Sequence, residues 1–509
     1  TTSACVSETP SRSPGGDRDL DGCRQTLNAA ELSGEQQLPD LAASARSGGR
    51  ARMAAEAGIG STTNAISVAD ELRQFKQRVV LGRENGRVVS EEEAAEKRAR
   101  QQDRVASLKS FCLKCIADNF DTHPEIKRVP EPQVPALTAM LSTSLDIEVA
   151  SAHIYDENYW KRRAKATKWK HFEIAHHGMT WKQLYLERRL EELLEGYVPG
   201  DEDQAEGQDD LDALLNPDRP ERIVEETLLA HLRASQDYVF GVRVGQLLSH
   251  LDHRLLFDSL PNLTRLELTY GVKRVGMQYE RSLFGMKMPD ATSLASAIQR
   301  TSTLTSLSLP CNLIDDDMAR MLMTGLISNC TVTQLNLSHN KITNHGVRLI
   351  AKLLGPKSVL TSLDLCDNQI HVEGGRYLSR ALRHNSSLMD LNLRLNRLTD
   401  EGGRLLIEGL SNNSTLGVLN VGSNSLGSKA ASALCAVLAQ QQTGLFALNM
   451  SCNELDEEDG QGLVATLRKS CPILSLDVRK NHFNHSTAAE LNDIVKRSEL
   501  ELRSKEGKF

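Results

Sequence analysis

Several groups of side chains have the types and spacing from which chemistry is built. Cys112 and Cys115 form a Cys-x-x-Cys pair, half of a zinc centre or a redox dithiol. No second pair accompanies them, and the helical pattern around Val105 to Ile116 makes them two small apolar residues of a helix. His171, His176 and His177 flank Glu173, the residue types of a zinc protease, but the order His-Glu-x-x-His is absent. Trp160, Trp169 and Trp181 are interleaved with Lys161, Arg162, Arg163, Lys165, Lys168 and Lys170, the composition of a nucleic-acid stacking platform. Helical periodicity separates the rings from the cations, so the rings read as a small core with the cations in water. Arg394, Asn396 and Arg397 have the types of an arginine-finger loop. There is no phosphate loop and no nucleophile elbow. The expectation is a protein without catalysis, metal or cofactor.

The elements that carry these residues can be read along the chain. With 509 residues, roughly three units are expected. Only 4% of residues are aromatic, so the main core must be aliphatic. The net charge of −7 argues against general nucleic-acid binding. No apolar run approaches the length of a membrane span. Ten scattered cysteines fit a reducing, cytoplasmic setting rather than a disulfide framework.

Residues 1–60 lack periodicity and are expected to be disordered. No Met precedes Met53, which suggests Met53 as the true start. A helical arm is expected over 67–119, opening a charged stretch with the Ser90/Glu93 capping spacing. Pro124, Pro130, Pro132 and Pro135 predict an extended linker over 120–136. A small helical unit holding all the tryptophans follows over 137–197, then an acidic linker over 198–219. Residues 220–262 are expected to form a lead-in helix and cap.

The strongest signal is a period of 28. Asn312, Asn340, Asn368, Asn396, Asn424, Asn453 and Asn481 recur at steps of 28, with one step of 29. Aliphatic residues precede each at offsets −8, −5 and −3, as in Leu360, Leu363 and Leu365. This is the pattern of leucine-rich repeats. The −5 and −3 residues share one face of a short strand, and stacked copies make a parallel sheet. Buried asparagine amides need partners, which the backbone of neighbouring coils can supply as a ladder. Aliphatic residues ten and fourteen after each Asn, such as Leu322 and Leu326, mark one face of a helix. Asp315, Thr343, Thr399 and Asp456 are placed as its N-caps.

The expected fold is therefore α/β: a solenoid over 263–509 with inner parallel strands and outer helices, preceded by the small α-helical unit. It holds seven regular repeats, one degenerate repeat at Leu263, Leu266 and Leu268, and a charged C-terminal helix. The segment 272–289 is an insertion and a candidate contact. On the concave face Asn336, Asp364, Asn392, Arg394, Asn420, Asn449, Asp477 and Arg479 are candidate partner contacts. Trp160, Arg162, Arg163, Trp169 and Trp181 are candidates for a docking unit.

Three families share parts of this order. Strand-and-helix repeats resemble the ribonuclease-inhibitor class, which also occurs in Ran-type GTPase activators; there Arg394, Asn396 and Arg397 would be the nearest loop residues. A helical unit before such repeats resembles F-box receptors of ubiquitin ligases, on Thr180-Trp-Lys-Gln-Leu-Tyr-Leu-Glu-Arg-Arg and Val134-Pro135-Ala136-Leu137. The wider resemblance is to the subunit 5 family of the nexin–dynein regulatory complex, also called T-complex-associated testis-expressed proteins. It rests on Tyr155-Asp-Glu-Asn-Tyr-Trp-Lys-Arg-Arg163, on Thr180 to Leu190, on the acidic break and on the repeats, over about 125–500. That resemblance implies an axonemal scaffold in a hetero-oligomeric assembly. It would link outer doublet microtubules and help regulate dynein-driven motility in cilia and flagella. Its partners would be other subunits of the complex, with inner dynein arms and doublet microtubules as neighbours, and no nucleic acid or membrane.

Overall fold

Each −5 leucine enters a three-residue strand because its two neighbours need the polar side and it needs the apolar side. In a computed structural model these strands stack into one nine-stranded parallel sheet in strict chain order, β1 to β9. The structure describes residues 108–197, 225–247, 251–271, 281, 284–469 and 472–506. The expected tail over 1–60, most of the arm, the acidic linker and residues 272–280 of the insertion lie outside these residues.

The described chain opens with helix α1 over 108–118. Helices α2 (Val134–Met140), α3 (Ile147–His153), α4 (Glu157–Lys165), α5 (Trp181–Gly196) and α6 (Glu225–Ser235) follow. Then come β1 (Gly241–Leu247), α7 (His253–Ser259) and β2 (Arg265–Tyr270). The regular coils alternate α8 (Met288–Arg300), β3 (Ser306–Ser308), α9 (Asp316–Ser328), β4 (Gln334–Asn336) and α10 (Asn344–Ile350). They continue with β5 (Ser362–Asp364), α11 (Val372–Leu382), β6 (Asp390–Asn392), α12 (Thr399–Glu408), β7 (Val418–Asn420) and α13 (Ser428–Ala439). The series closes with β8 (Ala447–Asn449), α14 (Glu457–Lys469), β9 (Ser475–Asp477) and α15 (His485–Glu506).

Leu307, Leu335, Leu363, Leu391 and Leu419 stack in register from β3 to β7. Each is at most 2% exposed, so burial contributes about 1.5–3 kcal/mol per side chain. Leucines such as Leu322, Leu326, Leu378, Leu382, Leu406 and Leu410 meet them from the helical side and are buried too. Helices pack closely where small residues face each other. A Cβ at Gly375 would sit 2.8 Å from the Gly402 carbonyl oxygen, so glycine is needed there.

Three expectations are corrected. Residues 120–136 are not an extended linker. They carry 3₁₀ turns at Ile126–Arg128 and Glu131–Gln133, α2 already starts at Val134, and Phe120 is fully buried. Pro132 and Pro135 sit in the first turns of these helices, where the missing N–H costs nothing. The lead-in over 220–262 is not mainly one helix either: it breaks after Ser235 and forms β1. Val239, Val242, Val244 and Leu247 are all buried there, and β1 pairs with β2 in parallel. They repeat the −8, −5, −3 pattern with valine, and leucine stands at the asparagine position. Finally, Thr399 is not an N-cap. It has φ of 58° and its amide donates to the Asn424 carbonyl.

Candidate functional site

A ladder of buried amides runs through the coils. Asn340 donates from Nδ2 to the carbonyls of Leu309 (2.9 Å) and Leu337 (3.0 Å). Its Oδ1 accepts from the amides of Asn312 and Ile314, both at 3.0 Å. Asn368, Asn396, Asn424, Asn453 and Asn481 repeat the donation to a carbonyl of the preceding coil. Asn312 donates in the same way to the Leu268 carbonyl and accepts from the Tyr270 amide at 2.6 Å, tying the degenerate coil to the array. The residue before each Asn turns the chain with φ between 51° and 59°, yet none is glycine. A left-handed non-glycine residue costs about 1 kcal/mol, which the asparagine bonds offset.

Two further ladders escaped the sequence reading. Asn329, Asn385 and Asn413 follow the helices and donate to the preceding coil, at Ile298, Leu354 and Leu382. Their recurring Asn-x-Ser/Thr-aliphatic order was the available signal. The residue four after the ladder Asn reaches forward instead. Asp316 accepts from the amides of Thr343 and Gly346 at 2.9 Å, and Asn344 from His371 and Gly374 at 2.9 Å. Asp400 does the same for Gly427 and Ala430, and Glu457 for Asn484. These four coils thus cap the next helix, whereas Ser428 at the same offset donates to Asp459 instead. Val372 holds this position before α12 and has no oxygen to offer, which accounts for the irregular start at Thr399.

The concave floor is polar and largely self-satisfied. Asn336, Asp364, Asn392, Asn420, Asn449 and Asp477 each accept the amide two residues on, at 2.8–3.2 Å. Asn392 Nδ2 also donates to Asp364 Oδ2 at 3.0 Å. Arg479 donates to both oxygens of Asp477, holding that carboxyl below its ordinary range. Burial, and then the charge of Asp364, push the Asp390 carboxyl up. Arg394 is exposed on this floor and Arg397 at its turn. Asn396, only 7% exposed, spends its amide on Leu365 and Leu393 and cannot face a nucleotide beside them.

The tryptophan unit does not present a ring platform. Trp160 is fully buried and donates from Nε1 to the Ile154 carbonyl at 3.0 Å. Arg163 is buried, with Nη2 on the Leu145 carbonyl at 2.8 Å. Arg162 donates to Thr138 and Leu141. Trp169 is half-buried and bonded to Glu192, and Trp181 is half-buried against Phe172. The expected docking residues are therefore mostly interior, because the unit has its own core to fill.

That unit closes the open edge of the sheet. An edge strand exposes alternate N–H groups that need partners. Glu187 on α5, 1% exposed, accepts from the amides of Phe240 and Gly241 at 2.9 Å. One turn on, Glu191 accepts from Arg243 at 2.9 Å. Nearby, Lys182 Nζ donates to the Ser151 carbonyl at 2.6 Å and lies 3.7 Å from the centre of the Tyr238 ring. Burial lowers Lys182 to about 8, against the pull of Glu157 and Asp237.

Burial raises Glu191 to about 7, against the Arg243 amide bond. The folded chain therefore holds this proton over a window in which the unfolded chain, near the ordinary 4.5, has lost it. Its contribution is full below about 4.5 and is lost as pH rises through about 7. Glu191→Gln should match the wild type near pH 5 and exceed it by about 1–3 kcal/mol at pH 8. Urea midpoints across that range check the sign; a difference that shrinks with pH would reverse it.

Among the described residues no group of three or more His, Cys, Asp or Glu could hold a metal ion. Cys112 and Cys115 are exposed, unpaired thiols on α1. His176 contacts Glu173 at 3.5 Å on an exposed turn, while His177 turns to Glu187. No described helix is long and apolar enough to cross a membrane.

The family model described as Leucine Rich repeat matches residues 328–351, 357–379, 384–406 and 412–435, each spanning parts of two successive coils. The chain carries leucine-rich repeats. Among curated proteins, Dynein regulatory complex subunit 5 of Chlamydomonas reinhardtii is 40% identical over 218 residues, 43% of this chain and 50% of its own length. The Homo sapiens protein of that name is 35% identical over 233 residues, 44% of this chain and 46% of its own. That of Mus musculus is 33% identical over 234 residues, with the same shares. This leucine-rich-repeat chain thus resembles the subunit 5 proteins and spans about half the length of the curated relatives it matches.

Proposed function

We propose that this chain is a non-catalytic scaffold subunit of a dynein regulatory complex, working by protein–protein contact in the axoneme of motile cilia or flagella. The observation that carries the reading is the 40% identity to a protein of that complex. The build of the molecule agrees with it. Ladders of side chains lock neighbouring coils, and the first strand is sealed by two carboxylates. Such a solenoid offers extended faces rather than a pocket. In this role it contributes to the link between outer doublet microtubules and to the regulation of dynein-driven bending. Its partners are other subunits of the complex, with inner dynein arms and doublet microtubules as neighbours. Asn392, Arg394, Asn420 and Arg479 on the concave floor are contact residues in this reading. Residues 134–197 build the cap core, which gives no separate support to an F-box-like role.

The test is extraction of a tagged copy from isolated axonemes. The tag should resist detergent, leave only in strong salt or chaotrope, and be lost from axonemes that lack the regulatory complex. A detergent-soluble protein absent from axonemes would reject the reading.

A further inference from the structure

The convex helices carry an uneven distribution of charge. From Lys341 to Val359 the chain holds Lys341, Arg348, Lys352 and Lys357 and no Asp or Glu, although its net charge is −7. The next outer segment, Gln369 to Met389, adds Arg376, Arg380 and Arg383 against one acid, Glu373. Arg376 and Arg380 stand four residues apart on α11 and share one face, while Lys352 lies in the turn that follows α10, four residues beyond Arg348. α10 and α11 are neighbours, and packed helices lie about 8–10 Å apart. The cations therefore form one patch.

These cations are not used to hold the fold together. Arg376 is drawn to Glu373 at 3.3 Å, and on the next helix Arg404 is paired with Glu401 and Glu408. Arg348, Lys352, Arg380 and Arg383 are exposed and make no ion pair among the described residues. The patch has boundaries. α9 begins with Asp316 and Asp317 on one side. On the other side a groove of about 390 Å³ between α12 and α13 is rimmed by Arg383 and by Glu408, whose charge is paired with Arg404, and floored by Ala433, Ala436 and Val437.

We propose that the convex face of α10 and α11 docks an acidic polypeptide segment, whose carboxylates are held by Arg348, Lys352, Arg380 and Arg383. Guanidinium groups grip carboxylates with two parallel bonds, and three of the four cations are arginines. The acidic balance of the rest of the chain repels such a partner elsewhere and steers it to this face. Small apolar side chains beside its acids fit the alanine-floored groove. Tyr377, the one Phe, Tyr or Trp of α10 and α11, is half-buried rather than presented for stacking. The inference is independent of the scaffold reading.

The full chain is titrated with a labelled oligoglutamate peptide in low and physiological salt. The reversal R348E/K352E/R380E/R383E should weaken binding at least ~10-fold, and the milder set R348Q/K352Q/R380Q/R383Q should weaken it in the same direction. R394E/R479E on the concave face should leave it within ~2-fold. Carbodiimide should couple the peptide's carboxylates to Lys352. All four sites are exposed, and an unchanged melting curve confirms the fold of each variant. Wild-type affinity in both quadruple variants, or coupling only at distant lysines, would overturn the proposal. So would tighter binding of single-stranded RNA or phosphatidylserine vesicles that the same variants abolish.

Discussion

Asn396→Ala should destabilise the solenoid by about 3–4 kcal/mol. The side chain is buried and donates to Leu365 and Leu393 while accepting from Ile370. Alanine leaves the Leu365 carbonyl and the Ile370 amide buried without those partners, and each such group costs about 1–3 kcal/mol. It also releases the turn at Leu395, whose φ of 58° is otherwise unfavourable. Asn420→Ala is the natural comparison. Asn420 accepts one amide, that of Gly422, at 3.2 Å on the half-exposed floor, so its loss should cost under about 1 kcal/mol. Urea midpoints of the two variants, measured together, decide the matter. Equal midpoints would mean that the buried ladder contributes no more than the surface turn.

Glu187→Ala should detach the cap from the first strand, at a cost of about 3–5 kcal/mol. One carboxylate receives the amides of Phe240 and Gly241, takes Gln183 Nε2 at 2.9 Å and faces His177. Removing it leaves an unpaired strand edge and a half-buried imidazole without its acceptor. The damage is local, so hydrogen exchange is the sharper readout. Amides of Phe240 and Gly241 should lose protection while those of β5 and β6 keep theirs. Glu187→Gln retains an acceptor oxygen and should restore most of the protection. Unchanged exchange at Phe240 in the alanine variant would show that the edge is closed by packing alone.

The parts of this molecule that could be read from its sequence are those whose cause is local. Leu363 and Leu365 lie within five residues of Asn368, and together they specify strand, buried face and turn. What was not legible depends on partners a coil or more away. Asp316 looks like an ordinary first-turn acid, and only the stacked neighbour reveals that it caps Thr343 and Gly346. Thr399 has the right residue type for a cap, but its start depends on Val372, 27 residues upstream. β1 was hidden because valines replace its leucines and no asparagine marks its turn. Glu187 and Glu191 sit among the charges of an ordinary amphipathic helix, and their role exists only beside Phe240, Gly241 and Arg243. At the concave candidates, residue type showed which groups face inward. It did not show that most of them already hold a backbone amide.

The forward caps and backward ladder also restrict how such a chain can change length. Every coil of the array hands an amide to the coil before it, and four of them, through Asp316, Asn344, Asp400 and Glu457, hand an oxygen to the helix after it, at fixed offsets from one asparagine. Removing a stretch from one ladder asparagine to the next rejoins matching donors and acceptors. Removing one residue fewer shifts every bond across that junction. The single step of 29, between Asn424 and Asn453, leaves both asparagines bonded in the usual way. Its helix-to-strand loop turns at Gln441, with φ of 54°, outside both sets of bonds. Within the regular coils, Asn312 to Asn481, length variation therefore falls into two kinds: whole coils gained or lost, and small insertions in the loops that lead from helix to strand.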